Sequence, residues 1–295
     1  MSTRKLRKHV LQTFWTGNPI GRLERAALQS YVNTGYTVHV YTYLPLKTFR
    51  DNLPSQNHIK VYDARTILSE DRIFQYTNRQ KGKRPNAYSF LPFSDLFRFT
   101  MLHKKGGTWM DLDIFLLKPI PASVWNKDYV FSSERTIQKG AYKQKIPEIV
   151  DMGFIKVPGP GSPLTTWILD HVPNTLDLKS PFDFMNLFRK GIEANNLQNY
   201  VLPAKAFLPL NWWDVKESFQ EDSSNKCYPS KYGVKEFCTK ELIDKDVYGI
   251  HWFRAILRKK GLPYNILENR VTKTSLYEVL IQAIEDDAGM ERNTL

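Results

Sequence analysis

Two carboxylates, Asp111 and Asp113, stand one residue apart in the run Gly106-Gly107-Thr108-Trp109-Met110-Asp111-Leu112-Asp113-Ile114-Phe115. Their apolar neighbours place them at the end of a buried strand. Ionised carboxylates are rarely kept there unless they are paired or coordinate a metal. In a regular strand residues i and i+2 share a face, so both side chains can reach one centre. Hard oxygen donors suit Mg²⁺ or Mn²⁺, and such an ion keeps positions that substrate phosphates fill. The chemistry indicated is a divalent cation that carries a diphosphate. One helix earlier, Asp95 and Arg98 lie a single turn apart. Taken alone, that pair is an i,i+3 ion pair worth about 0.2–0.5 kcal/mol, and an isolated Asp-x-Asp is equally well a surface pair on an edge strand. Their conjunction across the Gly106-Gly107 break is what singles out the segment.

These residues need elements to hold them. His9 to Trp15 reads as a buried strand, followed by a turn at Gly17-Asn18-Pro19 and a helix over Ile20 to Asn33, with Gly35 just past its end. Tyr36 to Tyr43 is β-branched and aromatic, hence a second strand. Strand, helix and strand in quick succession make a βαβ unit and a parallel sheet. Lys60 to Asp63 reads as a short strand leading into a helix through about Tyr76, and Asn78 to Asn86 as a polar, basic loop. Helical spacing resumes over Tyr88 to Lys105. Thr108 to Leu117 is expected as one strand carrying both aspartates, stopped by Pro119 and Pro121. Strands follow at Asp128 to Ser133 and Met152 to Val157, and helices at Pro163 to His171 and Pro181 to Ala194. Val201 to Leu210 is an extended apolar segment, Tyr248 to Phe253 a last strand, and Ser275-x-x-Glu278 a capping box that opens a final helix. The expected architecture is α/β, with an open sheet early and a loop-rich second half.

Composition bounds the partners. Hydrophobic residues are 42% of the 295-residue chain, enough for a sizeable core, and no apolar run approaches the ~20 residues of a membrane span. The basic start has too short an apolar stretch for a signal peptide, so a cytoplasmic protein is expected. Cys227 and Cys238 read first as free thiols of a reducing compartment, with a disulfide expected only in an oxidising one. The formal charge of +12 is spread in small clusters, at Arg4 to Lys8, Arg79 to Arg84 and Arg258 to Lys260. No zinc-finger, RRM or basic-zipper pattern accompanies it. The charge is therefore read as a solvated surface that attracts anions, with no nucleic acid as partner and peripheral contact with a membrane left open.

The segment Ser94 to Pro119, SDLFRFTMLHKKGGTWMDLDIFLLKP, resembles the sugar-binding DXD region of glycosyltransferase family 32 and its relatives. Those relatives include the α-1,4-galactosyltransferases, the initiating mannosyltransferases and the glucosylating domains of large clostridial toxins. Their pattern, Ser-Asp-x-x-Arg, then Leu, then Gly-Gly-x-Tyr-x-Asp-x-Asp, is met throughout except that Trp109 replaces the usual Tyr. The resemblance implies a GT-A-type fold, an open and mostly parallel sheet flanked by helices. It implies one catalytic domain over residues 1–295, with a nucleotide-sugar and metal-binding half over about 1–120 and an acceptor and site-completing half over about 121–295.

By position, the resemblance implies that Asp95 and Arg98 contact the donor sugar. Asp111 would reach ribose and sugar through the metal shell, and Asp113 would bind Mn²⁺ (or Mg²⁺) directly. His9 to Trp15 is similar to the family's first strand, so Phe14 or Trp15 would stack on the base, or else be core aromatics. Tyr248-Gly249-Ile250-His251-Trp252 is similar to the closing segment of these enzymes, which would make His251 a third metal ligand, or else a structural histidine, and set Trp252 over the diphosphate or in the core. Asp151 falls near the junction of donor and acceptor, and Trp212, Trp213 and Asp214 offer an acceptor-stacking surface or else are buried aromatics with a surface carboxylate. Arg254, Arg258 and Lys259 are nearby cations that would neutralise the leaving diphosphate, or else are solvated charge on an exposed helix.

The implied activity is retaining transfer of a hexose from a nucleotide sugar to a hydroxyl of a glycan or glycoconjugate. UDP-Gal, UDP-Glc and UDP-GlcNAc are the favoured donors, with GDP-Man open. With no convincing nucleophile in the sequence, same-face attack by the acceptor hydroxyl is the expected route. A metal-dependent nucleotidyl or phosphoryl transferase is the first rival; it would release pyrophosphate or nucleoside monophosphate, and the chain lacks a GxxxxGK[ST] loop. A non-enzymatic basic protein that binds nucleic acid or anionic glycan is the second, and its binding would depend steeply on salt.

Overall fold

Alternation along the strands sorts the core into two layers. In Thr37–Thr42, Val38 and Val40 join one apolar cluster while Tyr41 joins the other, and in Gly107–Met110, Trp109 and Met110 divide the same way. A sheet buried on both faces results. A computed structural model describes residues 9–17, 20–54, 57–74, 91–136, 147–172, 182–220, 227–228, 237–259 and 273–292. The basic clusters at Arg4 to Lys8 and Arg79 to Arg84 fall outside them, as do the side chains of Arg258 and Lys259.

Its strands are β1 (Val10–Phe14), β2 (Thr37–Thr42), β3 (Ile59–Asp63), β4 (Gly107–Met110), β5 (Ile114–Leu116), β6 (Val130–Arg135), β7 (Glu148–Val157), β8 (Cys227–Tyr228), β9 (Phe237–Cys238) and β10 (Gly249–His251). The helices are α1 (Arg22–Asn33), α2 (Leu46–Asp51), α3 (Leu91–Lys105), α4 (Ala122–Trp125), α5 (Pro163–His171), α6 (Phe182–Ala194), α7 (Glu217–Gln220), α8 (Arg254–Lys259) and α9 (Leu276–Arg292). Six strands form the main sheet in the order β3-β2-β1-β4-β7-β6. β3, β2, β1 and β4 are parallel, and β7 runs antiparallel to both β4 and β6. This is the open, mostly parallel sheet flanked by helices that was expected. Helices α1 and α9 contribute to one core, and α3, α5 and α6 to the other. Among the described residues no helix is long and apolar enough to cross a membrane.

Local signals explain most elements. Gly35 ends α1 with φ +92°. The Glu278 amide donates to Ser275 Oγ at 3.3 Å, half of the expected capping box. Gly106 turns the chain from α3 into β4 at φ +65°, where a Cβ would stand 2.5 Å from the Gly159 backbone.

Four expectations need correction. The strand expected over Thr108 to Leu117 is broken by a turn at Leu112-Asp113, and its second piece, β5, leaves the main sheet to pair antiparallel with β10. The helix expected after Asp63 is a pair of 3₁₀ turns, Ala64–Thr66 and Glu70–Arg72, because the Asp63 side chain caps the Arg65 amide and closes a tighter turn. Val201 to Leu210 contains the 3₁₀ turn Ala204–Ala206 and is not extended throughout. Cys227 and Cys238 face each other across the β8–β9 pair and form a disulfide rather than free thiols.

Candidate functional site

The break at Leu112-Asp113 builds the site. Asp111 follows the carboxyl end of β4, the place where open α/β sheets gather ligands. Its amide donates to Gly153 O at 2.8 Å, and its carbonyl accepts the Tyr31 hydroxyl at 2.6 Å. On the other side of the turn, the Trp252 amide donates to Asp113 O at 2.8 Å. Both aspartates are thus fixed through their backbones, one to β7 and α1, the other to the segment after β10.

Their carboxylates meet His251, which β10 supplies. One ligand atom from each of Asp111, Asp113 and His251 lies within 4.8 Å of the others. His251 Nε2 is 3.1 Å from Asp113 Oδ1, while its Nδ1 is buried without a hydrogen-bond partner. Asp113 Oδ2 accepts the Arg254 amide at 2.8 Å. Burial works against charge on His251, but Asp113, then Asp151 and Asp111, outweigh it and raise the imidazole to about 9. Asp113 is burdened by burial too, yet His251 and Arg254 hold it below the usual carboxylate range. Burial pushes Asp111 up, Arg98 pulls it down and Asp113 pushes it up again, leaving it at about 6.

Arg98 ties the helix to the strand end. Its guanidinium donates to Asp111 Oδ1 at 2.9 Å and to Met152 O at 2.7 Å, lies 3.6 Å from Asp95 Oδ1, and sits 4.8 Å over the Trp109 ring. Trp109 also donates from Nε1 to Asp111 Oδ1 at 2.6 Å. The position where the family pattern has Tyr therefore still carries a polar hydrogen aimed at the motif's first aspartate.

Asp151 lies on β7, where its Oδ2 accepts from the Gly153 amide at 2.8 Å and from Ser132 Oγ at 3.1 Å. A Cβ on Gly153 would stand 2.8 Å from that oxygen and 3.5 Å from His251 Cε1, so the glycine lets Asp151 approach the histidine. Glu134, on the neighbouring β6, was not singled out from sequence. Burial and Asp151 push it up to about 8 against the pull of His251 and Arg189.

The aromatics divide between core and site. Phe14 is 7% exposed, with Phe97 stacked on it at 4.3 Å and the edges of Tyr43 and Phe93 around it. Trp252 is fully buried among Phe115, Phe219 and Tyr277. Both are core rings, so neither offers a face to a ligand in this arrangement. Trp15 is half-buried at the carboxyl end of β1, with the Arg254 guanidinium 4.7 Å over its ring. Trp213 and Asp214 are buried, with Asn211 Nδ2 donating to Asp214 Oδ2 at 3.1 Å, and Trp212 is half-buried. None of these three belongs to the Asp–Asp–His group.

The donor set fits a small divalent ion. Bonds of roughly 2.1 Å put adjacent octahedral ligands roughly 3 Å and opposite ones roughly 4 Å apart, comparable with the separations of up to 4.8 Å found here. Two carboxylates and one imidazole form a donor set that can hold a divalent cation.

Residues 63–171, which include Asp95, Arg98, Asp111, Asp113 and Asp151, match a family model described as capsular polysaccharide synthesis protein. Among solved structures, the galactosyltransferase LgtC in complex with donor and acceptor sugar analogs is 12% identical, with 95% of each chain covered and a TM-score of 0.40. The PaToxG glycosyltransferase is 14% identical, over 63% of this chain and 69% of its own, with a TM-score of 0.38. No curated protein matches the sequence.

Proposed function

We propose that this protein is a metal-dependent glycosyltransferase of GT-A type. In this reading it moves a hexose from a nucleotide sugar, with UDP-Gal, UDP-Glc or UDP-GlcNAc favoured over GDP-Man, to a hydroxyl of a glycan or glycoconjugate acceptor. The observation that carries the proposal is the convergence of Asp111, Asp113 and His251 beside Arg98 and Arg254 at the carboxyl end of the sheet. The likeness of residues 63–171 to capsular polysaccharide synthesis proteins supports the same class.

Asp111, Asp113 and His251 would hold Mn²⁺ or Mg²⁺, which when bound supplies positive charge to a diphosphate as it leaves. The chain's own residues do the rest. Transfer breaks the bond between the anomeric carbon and the diphosphate oxygen, and the departing oxygens gain charge. Arg98 donates from its guanidinium to Asp111, Arg254 donates its backbone amide to Asp113, and their side chains add fixed cations to that region. Asp95, held beside Arg98, accepts from sugar hydroxyls. Trp15, just past β1, is the aromatic left for the base, since Phe14 lies in the core. Asp151 provides a carboxylate on the acceptor side. The acceptor hydroxyl attacks on the face from which the diphosphate departs and passes its proton to the departing diphosphate oxygen, which retains the anomeric configuration. In this reading residues 1–295 act as one catalytic unit, with the donor held chiefly by about 1–120 and the acceptor by about 121–295.

The test is a thermal-shift screen of nucleotide sugars with and without Mn²⁺, because a ligand that binds only the folded state raises the melting temperature. The products of the positive donor are then identified. Release of nucleoside diphosphate supports the proposal. Release of pyrophosphate or nucleoside monophosphate would move the protein to nucleotidyl or phosphoryl transfer.

A further inference from the structure

Glu24 is a fully buried carboxylate in the first turn of α1. Helix capping explains one of its oxygens, since Oε2 accepts the Gly21 amide at 3.1 Å. The other oxygen, Oε1, is 2.6 Å from Nε of Arg254. A buried charge needs a partner, and here the partner is a residue at the other end of the chain whose own side chain is 39% exposed.

Arg254 is constrained on three sides. Its amide donates to Asp113 Oδ2 at 2.8 Å, its Nε edge meets Glu24, and its guanidinium lies 4.7 Å over the Trp15 ring. A cap alone would be served as well by a solvated glutamate with no arginine against it. The residue before Arg254, Phe253, takes the left-handed φ of 48°, uncommon for a bulky side chain, and its ring stacks on His251 at 4.3 Å. The chain thus accepts a disfavoured backbone conformation at the step that brings His251 and Arg254 together beside Asp113.

We propose that Glu24 is a positioning residue: it holds the Arg254 guanidinium against Trp15 so that this cation meets the diphosphate of the bound nucleotide. The inference rests on the glycosyltransferase reading and deepens it. Arg254 touches the anion, and Glu24 acts only through Arg254. An arginine fixed by its edge and its face loses less freedom when it binds an anion than a mobile one does. Removing Glu24 therefore weakens recognition of phosphate charge more than the hold on the base.

The test measures binding of UDP, GDP and UMP in the presence of Mn²⁺ by calorimetry, using the full chain, Glu24→Gln, Glu24→Asp, Arg254→Gln and the Glu24→Gln/Arg254→Gln double variant. With whichever diphosphate the wild type binds, Glu24→Gln is expected to weaken affinity about tenfold, with UMP affected less. Glu24→Asp should recover part of the loss. In the Arg254→Gln background the Glu24 substitution should have no further effect, which is the mark of one coupled unit. Wild-type diphosphate affinity in Glu24→Gln, or losses that simply multiply in the double variant, would overturn the inference while leaving the glycosyltransferase reading in place. If Glu24→Gln does not fold, Glu24→Asp decides: a loss of about threefold that vanishes in the Arg254→Gln background supports the inference, and no change overturns it. A wild-type chain that binds neither UDP nor GDP would overturn the glycosyltransferase reading and this inference with it.

Discussion

Divalent metal binding should strengthen steeply as the pH rises through neutrality. His251 must be unprotonated to ligate, and binding must displace its proton. Burial favours the neutral ring, but the carboxylates of Asp113, Asp151 and Asp111 raise it to about 9 against an ordinary value of 6.5. The sign follows. In the metal-free protein the proton on His251 stabilises the fold fully below about 6.5, and that contribution is lost as the pH rises through about 9. For metal binding the same proton is a competitor. At pH 7 it lies about two units below the histidine's value, so competition weakens the metal about 100-fold relative to pH above 9. Between about 6.5 and 9 the affinity should rise about tenfold per pH unit, or ~1.4 kcal/mol. Below about 6 the proton on Asp111 joins in and steepens the dependence. Calorimetric titration with Mg²⁺ at several pH values, repeated in buffers of different ionisation heat, reads both the affinity and the protons released. About one proton should leave per metal near pH 7.5. A flat affinity with no proton release would refute the reasoning, as would an unchanged slope in His251→Ala.

Three further outcomes are expected. Asp113→Ala should abolish metal-dependent turnover and weaken Mn²⁺ by more than the roughly 10–100-fold that loss of an outer-shell partner costs, with the circular dichroism spectrum retained; wild-type rates with metal present would contradict the assignment. Arg98→Met leaves Asp95 and Asp111 without the guanidinium that both face at 3.6 and 2.9 Å, and should cost about 3–5 kcal/mol in urea unfolding; a loss below about 1 kcal/mol would show that the pair behaves as a surface bridge. Gly106→Ala places a Cβ 2.5 Å from the Gly159 backbone at φ +65°, and left-handed strain plus overpacking should lower stability by about 2–5 kcal/mol, read from the denaturation midpoint.

Elements defined by local signals were legible in the amino-acid order. The β1–α1–β2 unit is one, with Gly35 closing its helix. Helix α5 is another: it spans Pro163–His171 as its spacing predicts, because the proline starts it and its apolar face repeats. The turn at Leu112-Asp113 was not legible. Leu112, Ile114 and Phe115 continue the apolar run of β4, so composition alone prolongs the strand. What breaks it is tertiary: the Gly153 carbonyl, the Tyr31 hydroxyl and the Trp252 amide each take a backbone group there. For the same reason the aromatic residues could not be sorted from sequence. Phe14 and Trp15 are neighbours on one strand, and only the position of Phe97 shows which of them is core. Glu24 gave no signal at all, because its partner lies more than two hundred residues away.

The pairing of β5 with β10 has a consequence for the order of events in synthesis. Asp111 and Asp113 emerge from the ribosome with the early strands, whereas His251 emerges much later and Arg254 follows Asp113 by 141 residues. The acidic pair must therefore wait, only partly neutralised by Arg98, until the β10 segment arrives. A nascent chain ending before Gly249 would carry the two aspartates without His251, so the Asp–Asp–His group closes only once β10 has paired with β5.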